Sequence, residues 1–509
     1  MEDLVLKNGN IISMDNDLNK YDWVSITNKK ISGVGKGDAP QGKEEIDLKG
    51  KTVLPGLADC HVHTLTTGIV MSGVDLLNAT SLDEALGLVE ERCKETDGDG
   101  WVFAVNFVPH SLKECRYPDR WEIDKISHGH KVIFLAATLH GFSANTKAIE
   151  YCDVPLDTAG VEFIDGKQTG RYMSDESAFL GMANVLGSFS DEQLWELIEL
   201  CVNDSVTKGV TTMHGLLGQM VTGDRDMYLI HDNLDKLPLT MVEYFQTWDV
   251  EKVKELGLPR IGGCLTLDGA LFEYTMANYK PFDSAPALRG FLLHNDDEVY
   301  QLISKAHREG LQCSLHALGE RAIDQLIYIY HRVISEQGPK DIRHRIEHFC
   351  LPTEEQIQMA ADLDLVLSMQ VGYTYYWDKA EGGEFEIALG RERSNRWDPY
   401  PAIFEAGCMV CGGSDAPVCT VDPLRDIAGL VNNPNPIRNI DVTTALKMYT
   451  VNAAYTARLE DTKGSIEVGK DGDLVVINND PYKIYDKPEV HDLKSLMTVW
   501  QGDIVYRDM

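Results

Sequence analysis

Basic residues are scarce in this chain. Its 509 residues include 47 lysines and arginines against 80 aspartates and glutamates, a formal net charge of −33. Such a surface repels phosphate backbones and anionic membranes, so neither nucleic acid nor a membrane is expected as a partner. No uninterrupted apolar run reaches membrane length. The opening Met1-Glu2-Asp3 is acidic and the apolar stretch after it is short, unlike a secretory leader, so a cytoplasmic location is the expectation. The 11 cysteines are scattered and form no disulfide framework, which points to reduced thiols. Cys408-Met409-Val410-Cys411 has Cys-x-x-Cys spacing but lies in an apolar run, and reads as a buried strand rather than a redox pair.

What remains is an ordinary globular composition, 43% hydrophobic and 25% charged, in a chain long enough for a large core. Both ends are rich in short strands. Near the start, Asp3-Leu4-Val5-Leu6-Lys7 runs into Asn8-Gly9-Asn10, a hairpin-type turn signal, and Trp23–Ile26 and Lys30–Gly35 follow. Near the end, Asp473–Ile477 and Val499–Tyr506 look alike. Pairing the two ends, residues 1–55 with 457–509, makes one small β-sandwich domain. Residues 56–456 alternate apolar runs with helical patterns, as parallel βα units do. Eight candidate strands have suitable spacing: Leu57–Cys60, Val210–His214, Leu239–Tyr244, Gly263–Leu267, Leu311–His316, Arg345–His348, Leu365–Gln370 and Cys408–Gly412. Eight is the number a closed (β/α)8 TIM barrel requires. A helix ending at Gly310 precedes the fifth strand. The gap between the first two strands, about 65–205, is too long for one βα unit and reads as an inserted lobe that shapes a substrate cavity.

Four candidate strands end in metal-binding residue types. His61 and His63 close the first; residues two apart on an extended segment point the same way, so two imidazoles face one point. His316 ends the fifth, His348 the sixth, and Asp415 follows the eighth. Barrel strand ends converge on one rim, which would bring four imidazoles and a carboxylate together. That set suits a catalytic divalent metal, one or two ions with zinc the first choice. Any one of these histidines alone is more often a core or surface residue, and Asp415 alone is a plausible N-cap. Their joint placement at strand ends is what argues for the set.

The ordered motifs carry a resemblance. Leu54-Pro55-Gly56-Leu57-Ala58-Asp59-Cys60-His61-Val62-His63, His316-Ala317-Leu318-Gly319-Glu320-Arg321, Arg343-His344-Arg345-Ile346-Glu347-His348 and Gly413-Ser414-Asp415-Ala416-Pro417-Val418 make the chain similar to the metal-dependent amidohydrolase superfamily, in its amidohydrolase family 3 branch with N-substituted formamide deformylase-like proteins. The tail from Thr450 to Leu474 is also typical. The resemblance implies an α/β fold, a TIM barrel with a small β-sandwich, and hydrolysis of non-peptide C–N bonds in small amides, formamides, ureas or cyclic imides. One position departs from it. Cys264, in Gly263-Cys264-Leu265-Thr266-Leu267-Asp268-Gly269, falls where such barrels carry a lysine that is carboxylated to bridge two metals. A thiolate there is expected to bridge or ligate the metal instead, the alternative being a small buried residue in a site that holds one metal or none.

The resemblance also points to His140 as a substrate contact, in the lobe segment Thr138–Asn145. His214 at the end of the second strand is expected to line the cavity, and Arg393 lies in a loop similar to the family's. Tyr373, Trp377 and Trp397 are candidates for aromatic walls, with packing or surface roles the alternative for each of these residues. The mechanism expected is attack of metal-activated water on the substrate carbonyl, with Asp415 as general base. Two alternatives stay open: deamination of a heterocycle, and a catalytically silent barrel with a binding role. The expected partner is a small-molecule substrate, with a homodimer as the default assembly.

Overall fold

The computed structural model describes residues 1–137, 141–218 and 223–509. The chain divides into two compact units: Met1–Val62 with Val202–Leu216 and Leu234–Met509, and His63–Cys201 with Leu217–Asn233. Among the described residues, no helix is long and apolar enough to cross a membrane.

The first unit holds an eight-stranded parallel sheet. Its strands are β1 (Leu57–Val62), β2 (Val210–Leu217), β3 (Thr240–Phe245), β4 (Arg260–Thr266), β5 (Gln312–Ala317), β6 (Arg345–His348), β7 (Val366–Gln370) and β8 (Met409–Gly413), hydrogen-bonded in sequential order. Each matches one of the eight candidate strands to within a few residues. The ring closes between its two ends, where Val62 bridges Ala416 in parallel and the Asp415 N–H donates to His61 O at 2.9 Å. Glycine permits that closure. A Cβ on Gly413 would lie 2.7 Å from the His61 nitrogen and 2.8 Å from its Cβ, so β8 approaches β1 only because residue 413 has no side chain.

The βα punctuation is local. The helix Asp296–Glu309 begins with a reciprocal capping box between Asn295 and Glu298, a device worth about 1 kcal/mol. It stops at Gly310, whose φ of +78° favours glycine, and β5 starts two residues later.

The terminal strands form two further sheets in the same unit. A four-stranded sheet runs Lys30–Gly35, Trp23–Thr27, Glu2–Lys7, Gly42–Asp47. A six-stranded sheet runs Asp503–Arg507, Ser495–Trp500, Leu474–Ile477, Thr52–Pro55, Asn10–Ile12, Lys20–Tyr21. The two chain ends meet where Leu474–Ile477 pairs antiparallel with Thr52–Pro55. Alternate residues of both sheets, among them Leu4, Leu6, Val24, Ile26, Val53, Leu474, Val476 and Val499, fill one apolar core. The Asn8-Gly9 turn differs from the expected hairpin. Glu2–Lys7 and Asn10–Ile12 lie in different sheets, so the turn is a corner of the sandwich. Asn8 takes φ +55°, and a Cβ on Gly9 would meet Leu48 Cδ1 at 2.3 Å.

The second unit holds a six-stranded mixed sheet, ordered Val161–Ile164, Lys167–Tyr172, Phe142–Ala144, Lys131–Ala136, Trp101–Phe107, Val74–Asp75. Val102, Ala104, Val132 and Phe134 pack with Leu82, Ala85 and Val89 of the helix Leu82–Glu95 and with Ile123.

Candidate metal centre

Every inward position of β6 is polar, and that builds the floor of the site. Arg345 and Glu347, two apart on one strand, point the same way and are fully buried. Arg345 Nη2 and Nε both donate to the Glu347 carboxylate, the former at 2.9 Å. Its remaining donors reach His214 Nδ1 at 3.0 Å, Tyr244 Oη at 3.1 Å and Cys60 O at 2.5 Å. Ser314 Oγ also donates to Glu347. Burial opposes charge on Glu347, but Arg345 and His61 hold its carboxyl well below the ordinary range. Glu347 is therefore an anion that can only accept, and His61 Nδ1–H must be the donor across their 2.6 Å contact. This carboxylate–histidine pair fixes the tautomer and leaves His61 Nε2 as a lone pair directed into the barrel mouth.

What that lone pair meets is itself electron-rich. Asp415 Oδ1 lies 3.1 Å from His61 Nε2. The ligand atoms of His61, Cys264 and His348 all lie within 4.8 Å of one another, and those of His61, His63 and Asp415 do likewise. Cys264 Sγ is 3.4 Å from His316 Nδ1 and 3.6 Å from His348 Nε2. The His61 and His316 rings stand 4.9 and 4.4 Å from that of His348. Imidazole lone pairs, a carboxylate and a thiol converging at these distances demand a shared positive charge. With no cation bound, protons meet the same demand. Burial works against charge on His61, yet Asp415 lifts its pKa well above the ordinary value. Burial likewise opposes both members of the next pair, but His316 charge draws the Cys264 thiol well down, and the sulfur helps to push His316 up to about 10. The donor set fits a divalent cation that accepts nitrogen, sulfur and oxygen ligands.

The aim of Cys264 comes from a bulge. The β4–β5 register shifts between Gly262 and Leu265. Gly262 and Gly263 take φ of +95° and +107°, and a Cβ on Gly262 would lie 2.0 Å from Ser314 O. Bulges beside functional sites re-aim side chains, and this one turns the sulfur toward the histidines. Past it, Asp268 accepts from the N–H groups of Ala277, Leu318 and Gly319 at 2.9–3.0 Å, and lies 3.5 Å from His316 Nε2. His348 and Asp415 themselves adopt left-handed backbone, φ +73° and +57°, at about 1 kcal/mol each.

His61, Cys264, His316, His348 and Asp415 are thus brought together, with His63 in the second ligand set. Tyr373 joins them through a hydrogen bond from its hydroxyl to Asp415 Oδ2. Three other candidates sit elsewhere. His214 is not on a cavity wall but buried beneath the site, between Arg345 and Cys60, and burial with the Arg345 charge holds its pKa well down. Arg393 is occupied by the carbonyls of Leu389, Lys280 and Pro281 and by Asp283, so its guanidinium ties loops together. Trp397 is core, stacked on Phe385 at 4.6 Å. Trp377 ends the helix Gly372–Trp377. His140 lies outside the described residues. Sequence reasoning gave no role to Arg345, Glu347 or Asp268; the signal was two charges in alternation on a strand of a parallel barrel, where apolar residues normally face inward.

Comparison with known proteins bears on the family and the fold. Residues 44–506 match the model of the amidohydrolase family. The chain is 27% identical over 549 residues to N-substituted formamide deformylase of Arthrobacter pascens, covering 99% of this chain and 98% of that protein. It is 25% identical to the putative amidohydrolase YtcJ of Bacillus subtilis, over 98% of each. Among solved structures, an uncharacterized metal-dependent hydrolase from Pyrococcus horikoshii shares the fold with a TM-score of 0.79, covering 95% of this chain and 99% of that one at 22% identity.

Proposed function

This chain belongs to the amidohydrolase family, and from that premise we propose that it is a metal-dependent hydrolase of a non-peptide C–N bond in a small amide, formamide, urea or cyclic imide. The relative named for N-substituted formamides makes these the first substrates to test. His61, His63, His316, His348, Asp415 and the Cys264 sulfur are the residues that would hold a divalent ion, with zinc the first choice. Such an ion, when bound, supplies Lewis acidity toward a carbonyl and a lowered pKa for water.

The chain's own residues do the rest. Glu347 keeps the His61 lone pair directed at the site. Asp415 takes the proton released as water attacks the carbonyl carbon, and that proton is then available for the departing nitrogen. The nitrogen leaves as an amine and the carbonyl side as a carboxylic acid.

The observation carrying this reading is the convergence of three strand-end ligands from β1, β4 and β6 beside the Asp415 carboxylate, 3.1 Å from His61. The test is metal analysis of the purified protein, with formate and amine assayed during incubation with N-substituted formamides. Asp415→Asn is expected to fold normally and lose nearly all turnover. Ammonia as the only nitrogen product would indicate deamination instead. Unchanged turnover in Asp415→Asn would remove the proposed base.

A further inference from the structure

The Asp415 carboxylate is engaged at both oxygens. Oδ1 faces His61 Nε2 at 3.1 Å, and Oδ2 receives the Tyr373 hydroxyl. For Asp415 to carry its acquired proton to the leaving nitrogen, the carboxyl must break one of these contacts and turn. The phenol, bonded to the same carboxylate, offers a second route for that proton. We propose that Tyr373 is a catalytic residue, the proton donor to the departing nitrogen, recharged by Asp415 along their hydrogen bond. The inference rests on the hydrolytic reading above.

The placement of Tyr373 is built on both sides. It lies in the first turn of the helix Gly372–Trp377, immediately after β7. Gly372, one residue before, packs against the loop that carries Asp415: a Cβ there would meet Cys419 Sγ at 2.7 Å and Cβ at 2.8 Å. Thr374, one residue after, is held by Asn433 Nδ2 at 3.1 Å and donates to Val371 O at 3.1 Å. The Tyr373 ring lies nearly parallel to His348, at 6.3 Å and 15°. Tyr373 is partly buried, whereas Glu347 and Arg345 are fully buried, and its hydroxyl is bonded to the Asp415 carboxylate.

The step balances. Water adds its oxygen to the carbonyl carbon and gives a proton to Asp415. As the C–N bond breaks, its electron pair goes to nitrogen, and nitrogen takes the Tyr373 O–H proton. The Asp415 carboxyl proton then passes to the phenolate oxygen. Phenol and carboxylate are restored, and the products are one carboxylic acid and one amine.

Protonation of nitrogen matters most when the amine is a poor leaving group, which makes leaving-group dependence the diagnostic. Tyr373→Phe keeps the ring and removes only the hydroxyl. With N-alkylformamides its kcat is expected to fall about 100-fold, within the usual range for general acid catalysis. With para-nitroformanilide, whose amine departs readily, the loss is expected to stay below about 3-fold. Bound metal and Tm, measured in parallel, are expected to match wild type. Equal losses for both substrates, or no loss for either, overturn the relay while leaving hydrolysis standing. A metal-loaded wild-type protein that releases no amine from any member of the series defeats the hydrolytic reading and the relay with it. Gly372→Ala, which drives the helix away from Cys419, is expected to reproduce the substrate-dependent loss, whereas a defect equal for both substrates counts against the relay.

Discussion

Replacing Glu347 with glutamine removes one negative charge from a position closed to water. The change is isosteric, so its effects are electrostatic. Glu347 accepts from His61 Nδ1, from two nitrogens of Arg345 and from Ser314 Oγ. Glutamine keeps one acceptor oxygen and turns the other into a donor. That NH2 must face either Arg345 or His61 Nδ1–H, and donor meets donor in either orientation. Arg345 is left as a buried cation without its partner, and breaking a buried pair on one side costs about 3–5 kcal/mol. Metal binding suffers separately, because the histidine loses the group that orients it, at about 10–100-fold in affinity. Urea unfolding of the chelator-treated protein measures the first loss. Competition for zinc against a chromophoric chelator measures the second. A second variant, Arg345→Met, and the double variant complete a cycle in which the double is expected to be more stable than the sum of single losses implies. Metal-free Glu347→Gln within about 1 kcal/mol of wild type, or zinc affinity unchanged, refutes the account of the β6 charges.

Cys264→Ser is expected to abolish the near-ultraviolet thiolate-to-metal band of the cobalt(II)-loaded protein; a band of full intensity in the variant removes the sulfur from the ligand set. Gly413→Ala places a methyl 2.7 Å from the His61 nitrogen and is expected to destabilise the barrel by about 1–3 kcal/mol, read from the urea midpoint. His344 is kept neutral by burial and by neighbouring His307, with a folded pKa near 3 against about 6.5 when unfolded. Below pH 6.5 the unfolded chain takes up a proton that the folded protein refuses. The contribution of His344 is therefore complete above 6.5 and is lost as pH falls toward 3, at about 1.4 kcal/mol per pH unit. His344→Asn, which keeps an acceptor near the Cys313 N–H that His344 now accepts at 3.1 Å, is expected to flatten that acid limb by the equivalent of one proton. An identical slope in the variant assigns the limb to other groups.

Much of the architecture was legible in the sequence because it is written in short-range patterns. Apolar runs of strand length, bounded by turn residues and separated by helical periodicity, mark all eight barrel strands. Alternation along a strand places His61 with His63. The rule that parallel strand ends share one rim then gathers His316, His348 and Asp415. None of this depends on knowing which strands pair across the chain.

Tertiary structure decided the rest, because direction and partnership are set by contacts far apart in sequence. His61 and Glu347 are 286 residues apart, and only the folded barrel makes one the orienting group of the other. Asn8-Gly9 has the composition of a hairpin turn, but packing against Leu48 and pairing with Thr52–Pro55 put its flanking strands in different sheets. His214 and Arg393 have residue types that suit a substrate pocket. Their neighbours, Arg345 in one case and loop carbonyls in the other, consume the groups a substrate would need. Cys264 faces the histidines because two glycines on β4 adopt left-handed backbone that close neighbours require, Ser314 of β5 against Gly262 and Leu216 and Tyr244 against Gly263. Residue type and spacing carry the candidates for chemistry; which of them meet, and which are spent on holding the fold, is settled by how closely one backbone passes another.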